Sequence, residues 1–203
     1  MDKVMQTFYH GSNRLFDRFD LSFASEGSGL KFGFGNYVTQ KYESAAHYAL
    51  PRHEKVSENG TYYVYTVEIP DQTEDNHLFS CRPVHPRIVS DASKALGEEI
   101  PAEVCGLGKT FRKYIGNKVC GNTGTVRQMS GSADLAAEKA AVEFLRKIGV
   151  IMLVWPQSQS NPDGLQNRAY PDSSQLRIVK IERIRLDGKG QLIPGSQDVI
   201  KEY

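Results

Sequence analysis

The chain has 203 residues, enough for one well-buried core, and no shift in composition along it marks off a second domain. Its 25 Lys and Arg balance 24 Asp and Glu to a formal charge of +1, which argues against the broad positive field of a general nucleic-acid binder. Three cysteines, Cys81, Cys105 and Cys120, form no CxxC pair and leave one over under any pairing, so they point to a reducing compartment and away from a disulfide framework or a structural zinc.

No apolar run reaches the length of a signal-peptide core or a membrane span. The expectation is a protein of the cytoplasm, or one delivered into a host cell's cytosol without a cleaved apolar signal. Residues 6–12 carry strand-forming aromatics and end in Gly-Ser, which places His10 where a strand enters a turn. From 13 to 30, Phe16, Phe19 and Phe23 alternate with Asp, Ser and Gly, the pattern of a loop pinned by aromatic anchors. Gly33, Gly35 and Tyr37 then lead into a short strand ending at Thr39, followed by a helix over 42–50 that stops at Pro51. Ser57, Glu58, Asn59 and Gly60 supply a turn, and 61–69 is the clearest strand in the chain.

The middle, 72–131, is the least legible stretch and is read as two short helices over 87–96 and 103–115. Ser132 stands as N-cap of an amphipathic helix over 133–148, where Leu135, Val142, Leu145 and Ile148 recur at helical spacing before Gly149. A buried strand over 150–155 follows, then a polar loop over 156–165 with its turn at Asn161-Pro162-Asp163-Gly164. Strands over 166–170 and 175–186 close the domain, and 187–203 reads as a loosely attached tail.

Three pieces stand in order: Tyr9-His10-Gly11-Ser12, then Gly35-Asn36-Tyr37-Val38-Thr39 with its Ala-rich helix, then Gln166-Asn167-Arg168-Ala169-Tyr170. With Val67-Glu68-Ile69-Pro70-Asp71 between them, this order resembles the ADP-ribosyltransferases of the diphtheria-toxin and poly(ADP-ribose) polymerase class, in their bacterial and phage branch. The likeness covers about the first 70 and the last 70 residues, and the ordered set carries it, not any one motif.

The resemblance implies a single α+β domain in which two small, mainly antiparallel sheets form an NAD cleft flanked by helices. NAD is then the co-substrate, ADP-ribose passes to a side chain of an acceptor protein, possible host proteins included, and no metal is required. In that scheme His10 binds the adenosine ribose, Tyr37 stacks on the nicotinamide, and Tyr48 closes the ring's other face. Gly11, Ser12 and Gly35 line the cofactor site. Asn167 stands where the polymerases carry a catalytic Glu; it can orient the ribose 2'-hydroxyl but brings no charge. Asp163 and Glu26 are the carboxylates considered for that missing charge, and Arg14 and Lys41 the cations considered for the pyrophosphate, with Lys41 set aside. Each residue also has a plain structural alternative: a satisfied histidine at a strand end for His10, core aromatics for Tyr37 and Tyr48, a turn residue for Asn167. Water as acceptor, or a silent binding module, remain the rival functions; membrane association is not expected, and the sequence leaves the oligomeric state open.

Overall fold

A computed structural model describes residues 6–24, 31–51, 54–56, 60–131 and 134–203. In chain order the elements are β1 (Thr7–Ser12), β2 (Asn36–Thr39), α1 (Tyr42–Tyr48), β3 (Tyr62–Glu68) and β4 (His77–Phe79). The helical middle follows as α2 (Pro86–Leu96), α3 (Ala102–Cys105), α4 (Gly108–Val119), α5 (Val126–Met129) and α6 (Leu135–Lys147). Four strands complete the chain: β5 (Met152–Ser158), β6 (Asn161–Tyr170), β7 (Arg177–Ile184) and β8 (Asp198–Glu202).

The strands form one eight-stranded sheet in the order β4-β5-β6-β2-β1-β3-β7-β8, with β4 and β5 parallel and the other pairs antiparallel. The α+β class is as expected, but the two separate sheets are not found. The sheet is nonetheless narrowest at its middle: β1 and β2 share the single register pair Tyr9 to Thr39, whereas β1 pairs with β3 from Thr7 through Ser12. Beyond Tyr9 and Thr39, the Gly11 end of β1 and the Tyr37 end of β2 leave the ladder, so a seam opens between the two halves.

Side chains alternate across a sheet with period two, so the register assigns each residue to a face. Tyr9, Gly11, Tyr37, Thr39, Trp155 and Asn167 share one face, the one that the helices cover. There Ile88, Phe111, Ile115, Val142 and Leu145 of α2, α4 and α6 pack on Leu153, Trp155 and Ala169. Over the other half, Ala45, Ala46 and Ala49 bury α1 against Tyr62, Val64 and Ile184. This helix lies so close that a Cβ on Gly11 would stand 1.7 Å from the Ala45 carbonyl oxygen. The opposite face carries Phe8, Val38, Tyr65, Val154, Tyr170 and Ile178, with Phe19 of the 13–24 segment folded over it. Phe16 stacks on Tyr65 at 4.1 Å, so two of the three anchoring aromatics serve as expected; Phe23 is exposed, with the Arg14 guanidinium 5.0 Å from its ring.

Several expectations need correction. The middle holds four helices and strand β4 where two helices were expected; Gly106 and Leu107 interrupt the second of those to give α3 and α4. The polar run at 156–165 belongs largely to the β5–β6 hairpin. Its register jumps from Pro156–Gln166 to Ser158–Asn161, so the Pro162-Asp163-Gly164-Leu165 stretch bulges from β6 and leaves the polar residues at the solvated end. The tail is not loose: β8 pairs with β7, Leu186 bridges to Leu192, and Lys201 and the Tyr203 hydroxyl both reach Asp17. Its alternation is hidden because β8 is an exposed edge strand with little apolar pattern. Asp134 caps α6 by accepting from the Ala137 amide; Ser132, and the turn at Ser57, Glu58 and Asn59, lie outside the described residues.

Between α4 and α6 lies an ion pair whose side chains are each 2% exposed. Arg112 Nε and Nη2 donate to the two oxygens of Glu138 at 2.7 and 3.0 Å, and Nη1 donates to the Phe32 carbonyl at 2.9 Å. Removing one partner strands a buried charge, which costs several times what the pair itself contributes. Glu138→Gln is expected to lower unfolding stability by about 3–5 kcal/mol, and Arg112→Met with Glu138→Leu to recover most of that loss. Urea denaturation measures both; a loss below about 1 kcal/mol in the single variant, the size of a surface pair, contradicts the assignment.

Candidate functional site at the seam of the sheet

The seam is built from the loop that enters β2. Phe32 stacks face to face on Trp155 at 4.5 Å, and the Gly33 carbonyl accepts from the Tyr37 hydroxyl at 2.7 Å. The Tyr37 ring stands 5.0 Å from Trp155 at a 60° tilt, half-buried at the edge of the helical core. Burial pushes its hydroxyl up to about 12, so the phenol stays neutral and donates. Asn167 faces Thr39 on one side and Trp155 on the other, on the same face as Tyr37. It is 5% exposed, and its Oδ1 is buried without a hydrogen-bond partner.

His10 projects from the opposite face, among the rings of Phe16, Phe19 and Tyr65. Its Nδ1 lies 2.7 Å from the Tyr37 carbonyl oxygen. A carbonyl only accepts, so Nδ1 carries the proton and the neutral ring presents Nε2 as an acceptor. Burial holds the ring's pKa below its ordinary 6.5, against the smaller opposing effect of that hydrogen bond. His10 and Tyr37 are therefore joined across the seam through a backbone oxygen, and Tyr37 and Asn167 through a shared face. The rings of His10 and Tyr37 do not share a face.

The remaining expected residues divide. Ser12 ends β1 half-buried, its hydroxyl accepting from the Arg14 amide at 3.0 Å. Gly11 is accounted for by the close pass of α1, and Gly35 by β6, since a Cβ there would meet the Tyr170 carbonyl oxygen at 2.8 Å. Tyr48 is 58% exposed and its ring contact is with His47, at 5.9 Å; it lines a groove of about 540 Å³ with Gln191 and Leu192. Of the carboxylates weighed for charge, Asp163 pairs with Arg82 in the wall of another groove, and Glu26 lies outside the described residues.

Sequence reasoning passed over Gln157 and Ser44 as a pair. Gln157 Nε2 donates to Ser44 Oγ at 2.6 Å, tying the end of β5 to α1, and its Oε1 is a second buried amide oxygen without a partner. Only the tertiary fold brings β5 and α1 together, so no local motif marks them. Trp155, the single tryptophan of the chain, was read as strand core and also forms the wall of the site. Among the described residues no group of His, Cys, Asp and Glu is arranged to hold a metal ion, and no helix is long and apolar enough to cross a membrane. Comparison with family models, with curated proteins and with solved structures finds no match.

Burial of neutral His10 ties stability to pH with a definite sign. The unfolded chain takes up a proton near pH 6.5 that the folded ring resists, so this contribution is full above that pH and is lost as the pH falls through the lower folded value. His77 is lowered in the same direction, chiefly by burial. Unfolding free energies at pH 7.5 and 5.5 are expected to differ less in His10→Gln than in the parent chain, while His77 keeps the slope from vanishing; an unchanged pH difference contradicts a buried neutral His10.

Proposed function

We propose that the chain is a mono-ADP-ribosyltransferase that binds NAD at the seam, transfers ADP-ribose to a side chain of a target protein and releases nicotinamide, acting as a toxin or effector. The observation that carries the reading is Asn167, an amide held at 5% exposure with a bare oxygen, on the same face as Tyr37 and opposite Trp155, whose ring Tyr37 approaches. A buried acceptor without a donor is costly in the free protein, and a ribose hydroxyl supplies the donor.

The chemistry asks little else of the protein. Nicotinamide leaves as a neutral ring from a cationic one, so no general acid is needed, and the ribosyl centre passes through an oxocarbenium-like state. The Asn167 oxygen orients the hydroxyl beside that centre and turns the negative end of its dipole toward the cation. Nε2 of His10 accepts from a hydroxyl of the second ribose, and Tyr37 offers a ring face to the nicotinamide. A second reading, a binding module that holds the nucleotide without turning it over, is favoured by one observation: Asp163, weighed as the source of negative charge, is engaged by Arg82 instead.

Because Asn167 Oδ1 has no partner to strand, Asn167→Ala is expected to change stability by no more than about 1 kcal/mol. The same change is expected to lower transfer from adenylate-labelled NAD to protein by about a hundredfold. Steady nicotinamide release without labelled protein selects an NAD glycohydrolase, and NAD binding without nicotinamide release selects the silent module. Wild-type protein that neither labels, nor releases nicotinamide, nor binds NAD contradicts the proposal.

A further inference from the structure

A second groove, of about 650 Å³, is lined by the residue before β1, the residue after β2, the segment after β3, the start of β4 and the Asp163–Arg168 part of β6. That volume falls in the range of small-molecule sites. Arg168 lies in its wall, on the face opposite Asn167, and is 3% exposed. Its Nη2 donates to Gln6 Oε1 at 3.2 Å, and its guanidinium carbon stands 4.5 Å from the centre of the Phe8 ring. Nε and Nη1 are buried and complete no hydrogen bond of good geometry, although the Tyr170 hydroxyl, on the same face of β6, interacts with the guanidinium. A buried guanidinium with donors this poorly met is expensive for the free protein, because its lost water contacts are only partly compensated.

The other lining groups restrict what would fill it. His77 spends both ring nitrogens inside the protein, Nδ1 donating to the Thr73 carbonyl at 2.7 Å and Nε2 accepting from Gln72 at 3.0 Å, so it adds no second positive charge. Asp71, Glu74 and Asp163 also line the groove, and all three are exposed. Asp163 is paired with Arg82. Such a carboxylate-rich mouth opposes a phosphate dianion, yet the buried cation calls for oxygen acceptors. One class of small molecule meets both demands: an anionic end for the deep arginine and a cationic end to face the exposed Glu74.

We propose that this groove is a binding site for an amino-acid zwitterion, with the ligand's carboxylate on Arg168 and its ammonium group toward Glu74. The site stands apart from the NAD reading and does not depend on it. Calorimetric titration of the full chain with glycine, L-glutamine and L-arginine is expected to show saturable binding of at least one of them. Replacing that ligand's carboxylate by a carboxamide, or acetylating its amine, is expected to weaken binding at least tenfold. Arg168→Met should abolish binding, and Glu74→Gln, a change at an exposed position that leaves the fold intact, should weaken it severalfold. Absence of binding by all three amino acids overturns the proposal. So does binding that survives both substitutions, or a preference for inorganic phosphate or acetate over the zwitterions.

Discussion

Arg112 and Glu138 face each other in the contact between α4 and α6, where neither side chain meets water, and the arginine's remaining nitrogen reaches beyond the helices to the Phe32 carbonyl. That third bond is the constraint on which the seam depends. It fixes Phe32, which stacks on Trp155, and it holds the loop whose Gly33 carbonyl captures the Tyr37 hydroxyl. A salt bridge in such a place adds little net stability, because desolvation offsets the attraction. What it contributes is position: the loop conformation that satisfies the guanidinium also sets the Tyr37 ring against Trp155.

The sheet adds the second half of the geometry. A single register pair between β1 and β2 lets the strands part just where Gly11 and Tyr37 would otherwise continue the ladder. His10 reaches across with its protonated nitrogen on the Tyr37 carbonyl. The strand that carries Asn167 toward the helices carries Arg168 toward the other face, so adjacent residues leave bare polar atoms on both sides of one sheet. Buried polar groups are normally satisfied, so two adjacent residues of β6 with unmet polar atoms stand out.

The fold was legible in the sequence wherever one period ruled a stretch. Tyr62, Val64, Tyr65 and Val67 declare β3 by their β-branched and aromatic density, buried on both faces, and Ala141, Val142 and Leu145 declare α6 by helical spacing. His10, Tyr37 and Asn167 were read as strand residues in order; His10 and Tyr37 meet across the seam, while Asn167 lies on β6 opposite Thr39. Their faces could not be read, since that needs the register between strands distant in sequence. The buried pair was hidden for a related reason: Glu138 sits among Ala137, Ala141 and Val142 on an apolar stripe, and Arg112 beside Phe111 and Ile115. Each is an anomaly on its own helix, and only the pairing of two such anomalies of opposite sign points to a contact. Strand β8 carried no signal because an exposed edge needs no apolar period.

Trp155 offers the most direct test, because it is the only tryptophan, stands opposite Asn167 in the hairpin and lies 5.0 Å from the Tyr37 ring. A nicotinamide ring entering the seam would come within contact of this side chain and quench its emission. The account predicts saturable quenching of tryptophan fluorescence on titration with NAD, lost in Asn167→Ala and kept in Arg168→Met. Emission that stays constant with NAD, or quenching that Asn167→Ala leaves untouched, would contradict a nucleotide site at the seam.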